Sequence, residues 1–305
     1  MRKTIQSIPI YHRAVIELIL AGAIWGASFT LVKWALVDFS TTTLIFWRFL
    51  LAIILGESLM FFLQKSEYKK SHSDFKLSMF AGLALGSTLL FQTHGLNYTT
   101  ATNSSFITSL YVVLIPIASF YFYKTKLHWY HIGLSLLAFV GMGFLLEIYK
   151  HSFEFNFGDL ITLGAAVAGT FHILFVGHGS RKMQNAFRYN IFQTFWCWLL
   201  TIPFVVYEVN FRSIQLIPEH FTTKSILSII CLSIFVSLIA FYLQIKAQKV
   251  LTNTTASMLC LLEAPYSFIF ATVFLKEQLT YVQFLGAGLI MLSSVLSVYM
   301  ERPQN

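Results

Sequence analysis

The apolar residues of this chain occur in long runs separated by short polar segments, and they do not follow the 3.6-residue spacing of an amphipathic helix. A helix that crosses a bilayer needs about 20 mainly apolar residues, because the hydrocarbon core is roughly 30 Å thick. The runs predict an all-α integral membrane protein with ten transmembrane helices at residues 14–36, 42–63, 75–95, 101–122, 129–149, 157–177, 188–207, 224–246, 253–274 and 280–299.

The segments between these runs are too short to fold as a soluble domain, so we expect the function to reside inside the bilayer. The composition agrees, since 56% of the 305 residues are hydrophobic and 11% are charged. The 3 cysteines fall within predicted spans and lack C-x-x-C spacing, which favours packing roles. Neither a metal site nor a cofactor is expected.

The formal net charge of +8 bears on topology, because lysine and arginine favour the cytoplasmic side of a membrane protein. With the N-terminus inside, the cytoplasmic segments carry about three times as many of these residues as the outer segments. The outer set is Lys33, Lys150, Arg212, Lys224 and Lys276. We therefore expect a multi-pass inner (plasma) membrane protein with both termini cytoplasmic. Membrane lipids, and not nucleic acid, are the expected partners of the basic residues.

The two halves of the chain resemble each other helix by helix. Residues 46–51 in the second run match residues 195–200 in the seventh, and Gln92 aligns with Gln244. At that same offset Tyr111 falls on Glu263. The chain therefore contains an internal repeat.

We predict two five-helix repeats, residues 14–149 and 157–299. Because each repeat has an odd number of spans, equivalent helices cross the membrane in opposite directions. Such inverted repeats are typical of transporters that work by alternating access around a site at the midplane. Gene duplication without that function is the alternative.

Three local patterns carry a resemblance to a known family. They are Ala23-Ile24-Trp25-Gly26-Ala27-Ser28-Phe29, then Leu261-Leu262-Glu263-Ala264-Pro265 followed by Phe274-Leu275-Lys276-Glu277-Gln278-Leu279, and finally Gly286-Ala287-Gly288-Leu289-Ile290. Over essentially its whole length the chain resembles the EamA-type members of the drug/metabolite transporter (DMT) superfamily. The resemblance implies export or uptake of amino acids and similar metabolites without ATP hydrolysis.

The first half departs from that pattern at two positions. Thr125 stands at the equivalent of Glu277, and Val113 at the equivalent of Pro265. These differences argue against strict functional symmetry between the halves.

Glu263 lies near the middle of the ninth run, where a carboxylate costs about 2.5–3.5 kcal/mol on insertion scales. Pro265 removes a backbone hydrogen bond just beyond it and clashes with an earlier carbonyl, so we expect a broken helix with freed carbonyls. A carboxylate there suits a substrate ammonium group or a proton relay. A protonated or ion-paired structural glutamate is the alternative.

Three aromatic residues are candidates for substrate contact. Trp25 and Tyr111 lie midway along their runs, and Tyr266 lies one turn beyond Glu263. Their faces can hold cations or apolar groups. Packing is the alternative for each, because the chain has 31 Phe, 14 Tyr and 6 Trp.

Further polar residues lie in the runs. Gln92 and Gln244 are candidates for substrate binding or for hydrogen bonding between helices. His172 is a candidate for proton coupling, together with Glu263, or a packing residue. Arg48 lies about a third of the way into its run, and we expect it to snorkel outward.

Two glycine pairs, Gly22 with Gly26 and Gly82 with Gly86, stand four residues apart. This spacing predicts flat helix faces that allow close packing.

The predicted function is a secondary transporter of a zwitterionic or cationic, amino-acid-like metabolite bound near Trp25, Tyr111 and Glu263. An intramembrane enzyme acting on a lipid-linked substrate is a competing interpretation, but no H-E-x-x-H, G-x-S-x-G or P-loop motif supports it. A non-transporting sensor on the same scaffold is the other.

Overall fold

The computed structural model describes residues 9–95, 97–150, 156–275 and 280–301, which form helices and no strand. In chain order the α-helices are α1 Ile10–Ala35, α2 Thr41–Leu63, α3 Lys65–Lys70, α4 Asp74–Leu77, α5 Met79–Gly95, α6 Ala101–Thr108, α7 Tyr111–Tyr123, α8 Trp129–Leu145, α9 Phe157–Ser180, α10 Ala186–Phe211, α11 Thr223–Cys231, α12 Phe241–Gln248, α13 Asn253–Cys260, α14 Glu263–Leu275 and α15 Tyr281–Glu301. A π-helix, Leu232–Ala240, joins α11 to α12. Residues 276–279 of the second family pattern lie outside the described part.

Seven helical rods among these residues are long and apolar enough to cross a membrane. They are formed by α1, α2, α6 with α7, α9, α10, α11 with α12, and α15. An eighth arises if Ser71–Leu77 and Met79–Gly95, which are bent by 47° at their junction, form one span. Helix α8 is apolar but has 17 residues, and the predicted span 253–274 is divided between α13 and α14. The all-α membrane architecture is confirmed, while the count of ten spans stays a prediction.

Side-chain oxygens begin equivalent helices in the two halves. Thr100 accepts a hydrogen bond from the backbone N–H of Asn103 (3.1 Å) at the start of α6. Thr252 accepts one from Thr255 (3.3 Å) at the start of α13. Because the first N–H groups of a helix have no partner within it, these caps satisfy donors that are costly to leave unpaired inside a membrane.

Helix contacts across the bundle occur as pairs that the internal repeat relates. Helix α1 packs along α11, the π-helix and α12 and on α14, and its counterpart α9 packs along α5 and on α6 and α7. Two further contacts join counterpart elements, namely α2 with α10 and α8 with α15, and α7 of the first half contacts α13 of the second. The contacts of α1 correspond to those of α9, and the contacts of α2 with α10 and of α8 with α15 join equivalent helices, as a two-repeat architecture predicts.

Both ends of the described chain lie at the same end of the bundle. The hydroxyl group of Tyr11 donates a hydrogen bond to the carbonyl oxygen of Val298 (2.8 Å), which joins the start of α1 to the last helix. We call this the termini end. It is the end that the charge distribution predicts to be cytoplasmic.

Candidate functional site

Two helices of the bundle are broken at matching positions. In each half a segment of 8 residues is followed by a segment of 13, with a two-residue break at 109–110 in the first half and at 261–262 in the second. Tyr111 and Glu263 are the first residues after the breaks. The alignment of Tyr111 with Glu263 in the internal repeat is thus reproduced by the backbone.

The backbone hydrogen bonds at the two breaks also match. The N–H of Leu110 donates to the Ile107 carbonyl (3.1 Å), and the N–H of Leu262 donates to the Leu259 carbonyl (3.2 Å). Both are bonds to the third residue back, which tighten the chain relative to an α-helix. The break predicted beside Glu263 is present.

A break of this kind does not require a proline. The first half breaks in the same way with Val113 at the equivalent position, where the Val113 N–H donates to the Leu110 carbonyl (3.0 Å). Pro265 lies in the first turn of α14, a position where a proline is tolerated because its N–H would have no helical partner. A break of this kind therefore forms in one half without a proline and in the other with one.

Helix α1 packs closely against the second break through its glycines. A Cβ atom on Gly22 would lie 3.5 Å from the Leu259 carbonyl oxygen. A Cβ atom on Gly26 would lie 2.8 Å from the Ser267 nitrogen and 2.9 Å from the Glu263 carbonyl oxygen. The close packing predicted for this pair is confirmed.

The second glycine pair packs in the same way on another helix. A Cβ atom on Gly82 would meet the backbone of Gln193, and one on Gly86 would lie 3.3 Å from the Cys197 carbonyl oxygen. Helix α5 therefore approaches α10 at backbone contact distance, as the spacing predicts.

The Glu263 side chain is half-buried and makes no hydrogen bond or salt bridge to any described residue. It lies within electrostatic reach of Tyr111 and Cys260, on the facing and the preceding segment. A carboxylate inside a membrane protein needs a partner to offset its desolvation. The described protein supplies none, so the carboxylate is available to a ligand.

A chain of rings connects three helices beside the second break. Trp25 of α1 is 9% exposed, and its ring lies 5.4 Å from that of Phe241 in α12. Phe241 in turn lies 6.0 Å from the ring of His172 in α9. The Nε1 atom of Trp25 and the Nε2 atom of His172 are buried without a described partner. These two predicted site residues are therefore brought together through Phe241, a residue that the sequence did not single out.

The remaining predicted residues contact neighbouring parts of the protein. Gln92 reaches Thr108 at the first break (3.5 Å). Gln244 is buried and donates to Gln248 (3.0 Å) within its own helix. The Cβ atom of Tyr266 packs against Gly26 of α1. These contacts agree with structural roles for the two glutamines, and the substrate-binding roles stay predictions.

Arg48 does not snorkel outward, so that expectation is wrong. Its Nε atom donates to the hydroxyl oxygen of Ser237 (2.9 Å), and it lies within electrostatic reach of Cys197. Ser237 and Cys197 are both fully buried. The guanidinium group therefore points inward, where α2, α10 and the π-helix meet.

Arg48 and Cys197 are equivalent residues of the repeat, in the matched segments 46–51 and 195–200. Tyr111 and Glu263 are also equivalent. The members of each pair lie within electrostatic reach of each other, one pair between α2 and α10 and the other between the two broken helices. Each crossing has one charged member, a cation from the first half and an anion from the second.

The π-helix is a second feature that the sequence did not indicate. The side-chain amide of Asn190 in α10 donates to the carbonyl oxygens of Ser237 (3.0 Å) and Leu238 (3.1 Å). The hydroxyl of Ser233 donates to the Arg48 carbonyl oxygen (2.8 Å). Side chains from the neighbouring helices thus bond the π-helix directly. π-Helical turns are rare and often lie at functional sites.

Ion pairs join the two halves at the termini end. Glu17 of α1 pairs with Lys246 of α12, and Glu57 of α2 pairs with Arg188 of α10. At the opposite end the contacts are carboxylate to hydroxyl, since Thr42 donates to Glu208 (2.9 Å).

A chain with seven or more helices able to cross a membrane, arranged as two related halves, is a multi-pass membrane protein of the inverted-repeat transporter class. The model of the EamA-like transporter family matches residues 12–146 and 156–299. The chain belongs to that family, as the sequence patterns indicate.

Relatives of known sequence agree. An uncharacterized transporter of Archaeoglobus fulgidus is 34% identical over 283 residues, covering 93% of this chain and 85% of the relative. A second uncharacterized transporter of that organism is 28% identical over 289 residues, covering 91% and 94%. One crystal structure of another protein shares the fold with a TM-score of 0.72 and 16% identity, covering 95% of this chain and 99% of that one.

Proposed function

We propose that this protein moves a zwitterionic, amino-acid-like metabolite across the inner membrane by alternating access. The substrate binds between the halves, with Glu263, Tyr111 and Trp25 on one side and Arg48 on the other. The observation that carries the proposal is the Glu263 carboxylate, which follows a helix break and has no bonding partner among the described residues.

The charges at the two crossings favour a zwitterion. Glu263 suits a substrate ammonium group, and Arg48 suits a carboxylate because a guanidinium offers five N–H donors. The guanidinium of Arg48 makes one hydrogen bond to a described residue, from Nε to Ser237. Its other donors are available to a ligand. Trp25 supplies an aromatic face for the substrate side chain.

The ion pairs between the halves fit alternating access. Opening the termini end would separate Glu17 from Lys246 and Glu57 from Arg188. Opening the other end would separate Glu208 from Thr42. We assign a coupling proton to Glu263, or to His172, which is linked to Trp25 through the ring of Phe241. In this scheme both termini are cytoplasmic.

The test is uptake into proteoliposomes. Amino acids are first screened for thermal stabilisation of the purified protein, and uptake of each hit is then measured for wild type and Glu263→Gln. We expect the unmodified solute to accumulate, and the mutant rate to fall at least about 100-fold, because a buried ion pair that loses one partner costs about 3–5 kcal/mol. Glu219→Gln, which alters an exposed loop carboxylate, is the matched control and should transport normally.

The outcomes separate the competing functions. Uptake that Glu263→Gln leaves unchanged would remove Glu263 from the mechanism. Recovery of a chemically altered solute would favour the intramembrane enzyme. Stabilisation by a solute without uptake would favour the sensor.

A further inference from the structure

A small cleft lies at the termini end, between the two halves and away from Glu263. Its volume is about 70 Å³. It is lined by Pro116, Ser119, Tyr123, Thr125, Lys126, Leu127, His131, His178, Arg181, Thr252, Asn253 and Thr254. The first half contributes the end of α7 and the start of α8, and the second contributes the end of α9 and the start of α13. The proposed transport mechanism assigns no role to this cleft.

The charge of the lining is positive. Lys126 and Arg181 carry permanent charges, two histidines add N–H donors, and no aspartate or glutamate belongs to the lining. The carboxylate of Glu301 lies at the edge, where it accepts from the backbone N–H of Thr252 (2.7 Å). Among the described residues the guanidinium of Arg181 makes one long contact, to the Leu251 carbonyl (3.5 Å). Its remaining donors are available to an anion.

Two buried polar atoms in the lining lack a partner among the described residues. They are the hydroxyl oxygen of Ser119, in a residue that is 4% exposed, and the Nδ1 atom of His131, in a residue that is 8% exposed. An unpaired buried polar group costs about 1–3 kcal/mol. A ligand in the cleft would relieve that cost at both atoms.

The local backbone brings the donors together. Lys124 adopts a left-handed conformation (φ 50°) after α7, and the N–H of Thr125 donates back to the Ser119 carbonyl (3.4 Å). This turn places Lys126 beside the cleft. On the opposite wall α13 begins at Asn253, which lines the cleft together with Thr252 and Thr254.

We propose that this cleft binds an oxyanion of phosphate size, either free phosphate or the phosphate of a lipid headgroup. One water molecule needs a cavity volume of about 10–15 Å³. The cleft of about 70 Å³ therefore has room for roughly five water-sized atoms, which is the number of heavy atoms in a phosphate group. The anion bridges Lys126 of the first half and Arg181 of the second, and so holds the termini end closed.

The test uses delipidated protein in a glycoside detergent, in which inorganic phosphate replaces chloride at constant ionic strength. We expect a saturable rise in Tm and saturable binding of radiolabelled phosphate by equilibrium dialysis. Arg181→Gln should lower the phosphate affinity at least about tenfold, because charge-assisted hydrogen bonds are the strong ones. Lys182→Gln, an adjacent exposed cation outside the lining, is the matched control.

Ser119→Ala keeps the proposal testable if Arg181→Gln folds poorly. It removes a hydroxyl that has no internal acceptor, so the unliganded Tm should hold while phosphate affinity falls about three- to tenfold. The lipid arm adds phosphatidylglycerol, or a galactolipid with the same acyl chains, in phosphate-free buffer. Stabilisation by the phospholipid alone that requires Arg181 assigns the site to a headgroup, and stabilisation by phosphate assigns it to the free ion. No response to either, or equal responses in all variants, would overturn the proposal.

Discussion

The two halves share a backbone and differ in chemistry. Both break one helix after 8 residues and resume it for 13, and both cap the first segment with a threonine. Yet the residue after the break is Tyr111 in one half and Glu263 in the other. Symmetric backbone suits a transporter that needs two equivalent packings, while a substrate with unlike ends needs unlike side chains.

The α2–α10 crossing also has a charged residue from one half only, but there the charge is positive and belongs to the first half. Here the first half carries the charge, Arg48, and the second half presents Cys197. If the halves bound substrate symmetrically, the two crossings would carry like groups from both repeats. The observed arrangement places one cation and one anion beside the two-fold relation.

The largest expected effect comes from removing the Arg48 charge. In Arg48→Gln we expect zwitterion uptake to fall about 100-fold, because the substrate carboxylate loses its charged partner. Uptake of the corresponding amine, which lacks the carboxylate, should fall far less. Competition between the two solutes in proteoliposomes measures this change of preference.

Cys197→Ala is the control for the Arg48 comparison. It alters the equivalent residue of the other repeat, and uptake should stay within about threefold of wild type, because a buried cysteine acts as a small apolar residue. Equal losses for the zwitterion and the amine in Arg48→Gln would show that Arg48 stabilises the protein and does not select the carboxylate.

Glycine packing at the breaks gives a smaller effect that also differs between halves. In Gly26→Ala the added methyl meets backbone atoms at 2.8 and 2.9 Å, so overpacking of about 1–3 kcal/mol should exceed the gain of about 1 kcal/mol in helix propensity. The thermal midpoint in detergent should fall. On the counterpart helix α9, Gly169 lies beside the first break, and its added methyl would lie 3.7 Å from Thr88 and 4.0 Å from Tyr111.

Gly169→Ala should therefore leave the thermal midpoint unchanged or raise it. If the thermal midpoint fell equally in Gly26→Ala and Gly169→Ala, both helix faces would exclude any side chain. The two halves would then not differ in how closely these glycines pack.

Much of this architecture was predictable because it depends on patterns that survive in each repeat. The apolar runs, the glycine spacing and the alignment of Tyr111 with Glu263 are local or periodic, and the structure agrees with them. The inward direction of Arg48 was not predictable. A span surrounded by apolar residues on every face has no periodicity that tells which side faces the partner helix.

The remaining features depend on residues far apart in the chain. The partner of Arg48 is Ser237, and the π-helix that presents it is bonded by Asn190. The pair of Glu17 and Lys246 spans 229 positions. Such contacts follow from how spans pack, which single-sequence periodicity does not contain.

The smallest expected effect tests whether the two breaks are the same structure. Pro265→Ala restores an N–H group that has a ready acceptor, since the equivalent Val113 N–H bonds the carbonyl of Leu110 in the first half. The gain of about 1 kcal/mol from that bond roughly cancels the loss of proline's restriction of the unfolded chain, about 0.4–1 kcal/mol. The thermal midpoint and uptake should therefore hardly change.

The control is Ala118→Pro, inside α7, which removes a helical hydrogen bond and should lower the free energy of unfolding by about 3 kcal/mol. If Pro265→Ala instead abolished uptake while the protein remained folded, the proline would shape the second break in a way that Val113 does not, and the backbone symmetry of the two halves would be incomplete at the site itself.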